Sequence, residues 1–253
     1  MERINTLVGY NNLKIIQNDD WFKFSLESVL LPNFVKINLN CKNILDLCTG
    51  NAPIPLLLSL KTKAKIIGVE IQKDVCELAN KTVEMNNLQN QITIINEDLK
   101  NLKKLYDGDN FELITVNPPY FKNQNIGVMN DDIHKRTARH EGDTSMEDII
   151  KISTFLLKNG GHFAMVHRTE RFFEIIDVLK SHNLIPKRIR LIYPKTDKKS
   201  NLFMIDCIKN GKSEVEFESP LYIHNDDGTY KDEIKRIFNI KEGVYSENDS
   251  RSW

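Results

Sequence analysis

Leu113-Ile114-Thr115-Val116-Asn117-Pro118-Pro119-Tyr120 is the stretch on which the fold turns. Its first four residues are β-branched or large and mostly apolar, and they predict a short buried strand. Asn-Pro-Pro-Tyr then ends it. Each proline fixes φ at about −65°, lacks an N–H and pushes the residue before it out of the helical region. The product is a stiff, extended corner at the carboxyl end of a strand, where an open α/β sheet binds its ligands. The corner carries the side-chain amide of Asn117, a Pro118 carbonyl with no competing N–H beside it and the aromatic face of Tyr120. That set can grip a planar group bearing an amine.

Upstream, Asn43-Ile44-Leu45-Asp46-Leu47 predicts a strand, Cys48-Thr49-Gly50-Asn51-Ala52 a tight turn, and Pro53 to Leu60 an apolar helix. Pro53 and Pro55 fall in the first helical turn, where a missing N–H has no partner to lose. Ile66 to Glu70 is a second buried strand ending in an acid. Asp74 to Asn86 sets Val75, Leu78, Ala79 and Val83 at helical spacing. Ile92 to Asp98 is a third strand, again ending in acids, and Leu113 to Val116 is the fourth. Strands and helices alternating through short turns specify a doubly wound parallel sheet.

Downstream, Asn123 to Thr144 is polar with little periodicity and reads as a long loop of the functional kind. Ser145-Met146-Glu147-Asp148 caps a helix running through Leu157. Gly160-Gly161 turns the chain into a fifth strand, His162 to Val166, and a helix covers Phe172 to Ser181. Arg188–Tyr193 and Leu202–Ile208 are strands joined by the basic loop Lys195-Thr196-Asp197-Lys198-Lys199, too short for any but antiparallel pairing. Pro220 to Ile223 is expected as an edge strand, with fraying after about Glu242. The first forty residues read as an extension packed on the core like a lid, with a strand at Leu13–Gln17 and a helix opening near Ser25. Residues 41–253 then form a single main domain. The expected fold is α/β: a mostly parallel, seven-stranded sheet, helices on both faces, and an antiparallel hairpin near the carboxyl terminus.

Composition narrows the function. The formal net charge is +0, so overall charge cannot attract nucleic acid and any such binding needs a local basic patch. Cys41, Cys48, Cys76 and Cys207 show no zinc-site spacing, and no histidine cluster accompanies them. Reduced thiols, no metal and a cytoplasmic setting are expected. Met1 to Asn5 opens without an apolar leader core, and no apolar run is long enough to span a membrane. A monomer or weak homodimer is expected.

The chemistry lies at the strand ends. The turn Asp-Leu-Cys-Thr-Gly-Asn-Ala has one glycine, whereas a pyrophosphate needs several for close backbone approach. A nucleoside carrying an amino acid arm suits it better than a dinucleotide. Asp46 can orient an ammonium group, directly or through water, and Gly50 admits close approach. Glu70 can accept from both ribose hydroxyls. Asp98 can accept from an adenine amine, with Ile71 and Leu99 sandwiching the ring. Phe24 and Ser25 can cover one side. The implied cofactor is S-adenosylmethionine, whose methyl group is already activated, so the protein's task is positioning and charge management.

These residues resemble the Rossmann-like class I methyltransferases that carry an Asn-Pro-Pro-Tyr signature. Phe24-Ser25-Leu26-Glu27-Ser28-Val29-Leu30-Leu31, Asp46-Leu47-Cys48-Thr49-Gly50-Asn51, Ala138-Arg139-His140-Glu141 and Val166-His167-Arg168 together resemble the bacterial tRNA1(Val) adenine-37-N6 methyltransferase family. The resemblance implies that Asn117, Pro118 and Tyr120 bind the target adenine. It implies that Asp46, Gly50, Glu70 and Asp98 hold the cofactor, with Cys48, Asn51 and Asn117 also expected against it. Cys48 and Ala52 stand where the class has glycine, so a positive φ there would be strained. RNA contacts are expected from Pro119, Arg139, His140, Arg168, Lys195, Lys198 and Lys199, with Lys135, Arg136 and Arg171 as further candidates. Three other substrates for the same amine chemistry stay open: DNA adenine, ribosomal guanine-N2 and protein glutamine. So does a non-catalytic RNA-binding protein.

Overall fold

The computed structural model describes residues 2–7, 9–10, 12–18, 25–119 and 144–240. It begins with an antiparallel pair, β1 (Glu2–Thr6) and β2 (Lys14–Asn18). α1 (Leu26–Phe34) follows, then β3 (Asn43–Leu47), α2 (Pro53–Ser59), β4 (Lys65–Glu70), α3 (Lys73–Met85) and β5 (Ile92–Asn96). A short α4 (Leu102–Leu105) leads to β6 (Phe111–Val116). After the undescribed stretch come α5 (Met146–Leu156), β7 (Leu157–Arg168), α6 (Phe172–Ser181), β8 (Leu184–Tyr193) and β9 (Leu202–Lys209). Two-residue strands β10 (Glu216–Phe217) and β11 (Leu221–Tyr222) and a final α7 (Asp232–Ile237) end the described chain.

The long strands lie in the order β5-β4-β3-β6-β7-β9-β8, and β10 and β11 pair with the outer edge of β8. Every strand of this sheet runs parallel except β9. The chain builds outward from β3 to β5, then jumps back to place β6 on the other side of β3. That reversal leaves a crevice beyond the carboxyl ends of β3 and β6.

Period-two alternation assigns each strand residue to one face. Ile44, Leu113, Ala164 and Val166 pack on one side with α1, α2, α3, α7 and the β1–β2 hairpin. Leu45, Leu47, Ile114, Val116, Phe163 and Met165 pack on the other with α4, α5 and α6. Asp46 and Thr115 fall in phase with Ile44 and Leu113, so two polar residues face the α1 side.

Local rules account for most boundaries. Ser145 caps α5 through a reciprocal box, accepting from Asp148 N–H at 3.1 Å while Asp148 accepts from Ser145 N–H at 2.9 Å. α3 ends at Asn86, and Asn87 turns into the left-handed region at φ 55°, which asparagine tolerates. α6 spans the residues the sequence predicts. The expected turn at Gly160-Gly161 is instead a bulge inside β7, whose pairing with β6 slips between Leu157 and His162. Gly160 has φ 75°, and a Cβ at Gly161 would lie 2.8 Å from the Lys158 carbonyl oxygen. β8 likewise starts four residues early, at Leu184, with an irregularity at Pro186 where no N–H can join the ladder.

The amino-terminal hairpin is fastened to the core. Ile16 N–H donates to Thr82 Oγ1, and Asn86 exchanges side-chain bonds with the backbone of Lys14. α1 is anchored at its carboxyl end, where exposed helix carbonyls attract cations. Lys61 Nζ donates to the carbonyls of Pro32 and Val35, and buried Arg188 donates to that of Phe34. Arg188 also pairs with Asp206 at 3.1 Å and Glu218 at 2.6 Å, so the charge it buries is matched.

Candidate active site

The turn after β3 forms because three residues in it take positive φ: Cys48 at 57°, Gly50 at 56° and Ala52 at 69°. Glycine adopts that region freely; cysteine and alanine do so at a cost of about 1–2 kcal/mol each. Asp46 offsets part of that cost. It is fully buried, and each oxygen accepts one threonine hydroxyl at 2.6 Å: Oδ2 from Thr49 in the turn, Oδ1 from Thr115 on β6. The carboxylate therefore clamps the turn to the neighbouring strand across the switch point. Burial nonetheless pushes its pKa up to about 7, with the Glu70 charge adding to the rise and the two hydroxyls opposing it. Relative to 3.8 that is on the order of 4 kcal/mol against the charged form.

Glu70, at the end of β4, reaches back to the same turn. Its Oε2 accepts from Gly50 N–H at 2.9 Å and its Oε1 from Gln72 N–H at 3.0 Å. Burial raises its pKa too, the backbone donors only partly compensating. Burial, then the charges of Glu70 and Asp46, raise the Cys48 thiol, which stays protonated and inert. Asp98 follows β5, where it accepts from Lys100 N–H at 2.9 Å and faces Lys100 Nζ at 3.5 Å. Ile71, after β4, stands 42% exposed, while Leu99 is buried in the core cluster with Leu102 and Ile149. Asn51 donates to the Ile16 carbonyl at 2.9 Å, tying the turn to the hairpin.

On the other side of β3, β6 delivers Asn117, Pro118 and Pro119. Pro118 is buried, and Asn117 and Pro119 are half-buried. Asn117 Nδ2 donates to Ser28 Oγ of α1 at 3.4 Å, and Ser25 Oγ lies 3.3 Å from Ser28 Oγ. Ser25 is the N-cap of α1 but makes no side-chain capping bond. The carboxyl edge of four adjacent strands, β6-β3-β4-β5, thus carries in sequence the Asn-Pro-Pro corner, the clamped turn, Glu70 and Asp98.

The basic candidates lie on the same edge of the sheet. Arg168 ends β7, and Thr169 binds the tip of the β8–β9 hairpin through its N–H to Asn201 and its hydroxyl to the Ser200 carbonyl. Lys195 donates to the Asp226 carbonyl, Lys198 pairs with Asp197, and Lys199 is exposed. At a strand spacing of about 4.8 Å, β7 stands roughly 5 Å from the strand of the Asn117 corner and the β8–β9 hairpin roughly 10–15 Å. Phe24, Tyr120, Arg139 and His140 lie outside the described residues, as do Lys135 and Arg136.

Three residues of the site were not singled out in the sequence: Thr49, Thr115 and Ser28. Thr115 and Ser28 are hydroxyls beside apolar buried residues, and that mismatch was the available signal; Thr49, in a polar turn, gave none. Among the described residues no cluster of histidine, cysteine or acids could hold a metal, and no helix is long and apolar enough to cross a membrane. All four cysteines are free.

A parallel sheet reversing at β3/β6, with a clamped turn at the reversal, is the Rossmann-like fold of the class I methyltransferases. A predicted O-methyltransferase from Agrobacterium tumefaciens shares it with a TM-score of 0.68 at 19% identity, over 85% of this chain and 96% of its own. The chain belongs to the methyltransferase small domain family, whose profile matches residues 27–184, more than half its length. Two relatives are named tRNA1(Val) (adenine(37)-N6)-methyltransferase. That of Parabacteroides distasonis is 27% identical over 73% of this chain and 76% of its own. That of Bacteroides fragilis is 25% identical over 85% and 88%.

Proposed function

We propose that this chain transfers a methyl group from S-adenosylmethionine to the N6 amine of an adenine in tRNA, adenine 37 of tRNA1(Val) by analogy with those relatives. The observation that carries the reading is the Asn117-Pro118-Pro119 corner standing one strand from the clamped turn, at the sheet's switch point. The residues present suit the cofactor. A Cβ built on Gly50 would meet nothing within 4 Å, so the turn is open above that residue. Asp46 and Glu70 bring two buried acids, each with its pKa raised by burial, and a cation beside them favours their charged forms.

In this reading Glu70 exchanges its bond with Gly50 N–H for ribose hydroxyls, and Asp98 receives the adenine amine. Asp46 acts through the turn it clamps, because both its oxygens already hold hydroxyls. Ser25, at the amino end of α1, covers one side of the bound nucleoside. When bound, the cofactor supplies an activated methyl group. Asn117 Oδ1 and the Pro118 carbonyl accept the two hydrogens of the target amine, draw it out of the ring plane and aim its lone pair at the cofactor. Tyr120 stacks on the base. No strong base is required, since the amine proton becomes acidic once the new bond forms. Arg168, Lys195, Lys198 and Lys199 hold the phosphates of the anticodon loop.

The deciding experiment incubates the protein with methyl-labelled cofactor and unmodified total tRNA, followed by digestion to nucleosides. Label in N6-methyladenosine is expected. Label confined to another nucleoside, or none, would sink this reading.

A further inference from the structure

We propose that Ser28, backed by Ser25, is a positioning residue that orients the side-chain amide of Asn117. This rests on the amine-methylating reading of the corner. An asparagine amide has a donor end and an acceptor end, and flipping it exchanges them. Only the orientation that turns Oδ1 toward the target amine is productive; the other sets the NH2 group against the amine hydrogens. Something must hold the amide the right way round before substrate arrives.

The usual local solution is absent here. Asparagine in turns bonds Oδ1 to a backbone N–H one or two residues on. Both following residues are prolines and carry no N–H. The same corner that stiffens the backbone therefore deprives Asn117 of its own backbone partner. Ser28 supplies a partner from another element. It is 6% exposed, on a helix otherwise lined by Leu26, Val29, Leu30 and Leu31, and its Oγ lies 3.4 Å from Asn117 Nδ2. In α5, Ser153 and Thr154 turn their hydroxyls back on their own helix, to the carbonyls of Ile149 and Ile150. Ser28 Oγ instead meets Ser25 Oγ and Asn117 Nδ2. Ser25 Oγ lies 3.3 Å away, where either hydroxyl can donate; with the Ser28 proton turned to Ser25, the Ser28 lone pairs are left to the amide. Ser25 is free to accept it because it makes no capping bond. α1 is held in register by Lys61 and Arg188 on its last carbonyls, so Ser28 is presented by a fixed helix.

The test compares Ser28→Ala and Ser28→Thr with the wild type in the full chain. Ser28→Ala is expected to lower kcat about tenfold, the worth of one modest hydrogen bond, with cofactor Kd changed less than about threefold. Ser28→Thr keeps the hydroxyl and is expected to restore most of the loss. With asparagine side chains labelled by nitrogen-15, the amide signal absent in Asn117→Ala identifies Asn117. That signal should move in Ser28→Ala and return toward its wild-type position in Ser28→Thr. An unmoved signal overturns the proposal, as does a loss of turnover that tracks lost cofactor affinity or lost thermal stability. A signal that moves in Ser28→Ala as expected, with a wild type that methylates no tRNA, would uphold the contact and overturn the functional reading instead.

Discussion

Asp46 is a buried carboxylate whose close partners are two neutral hydroxyls. Its pKa stands near 7 in the folded chain against 3.8 ordinarily, so the native state holds this proton more tightly than the unfolded one. Its contribution to apo stability is full at low pH and is lost as pH rises through 7. A cationic cofactor reverses the preference, because it favours the charged form. Cofactor affinity should therefore fall about tenfold between pH 8 and pH 6, as the carboxylate takes up its proton. In Asp46→Asn the profile should flatten, leaving only the part due to Glu70. Calorimetry at three pH values decides it; an unchanged slope in the variant would show that Asp46 is not the titrating group.

At the scale of the element, the β3–α2 turn can be probed without touching its acids. Gly50→Ala puts a methyl group where nothing lies within 4 Å, so the stability change should come from φ 56° alone. That is about 1 kcal/mol, or roughly 2–4 °C in Tm for a chain this size. If the open space is where the cofactor lies, affinity should drop by more than the tenfold that about 1.4 kcal/mol represents. Equal, small effects on both would mean the cofactor keeps clear of the turn.

Elements were also where the sequence was most legible. Ser145 with Asp148, the prolines at Pro53 and Pro55, and the basic loop at Lys195 each fix a boundary through a local rule, and each boundary falls close to its expected position. Gly160-Gly161 misled because glycine serves a turn and a bulge equally well, and only pairing with β6 selects between them. β1 was not foreseen, since all five of its residues are exposed and carry no burial pattern. Among site residues, Glu70 and Asp98 were readable as strand-end acids. The partners of Asp46 were not, because Thr115 is 69 residues away and strand adjacency is not written in either segment.

The whole molecule carries a formal net charge of +0, so RNA affinity must come from a few local contacts. If Arg168, Lys195, Lys198 and Lys199 each neutralise one phosphate, log affinity should fall against log salt with a slope of about −3. Replacing the three lysines by alanine should bring the slope to about −1 and leave cofactor affinity unaltered. Filter binding across a salt series measures both. A slope that does not change would move the RNA site away from the hairpin rim.

The two ends of the described chain meet. Tyr10 donates its hydroxyl to the Ile237 carbonyl, and Asn239 donates to that of Gly9. A Cβ at Gly9 would fall 1.3 Å from the Phe238 carbonyl oxygen, so the approach tolerates no side chain. During synthesis the contact at Gly9 must therefore wait for Asn239, made 230 residues later. The middle strand β9 is delayed in the same way, entering between two neighbours already made. A nascent chain halted before α7 would hold the crevice at β3 and β6 assembled and the hairpin joined to α3, with the turn at Gly9 still unclosed.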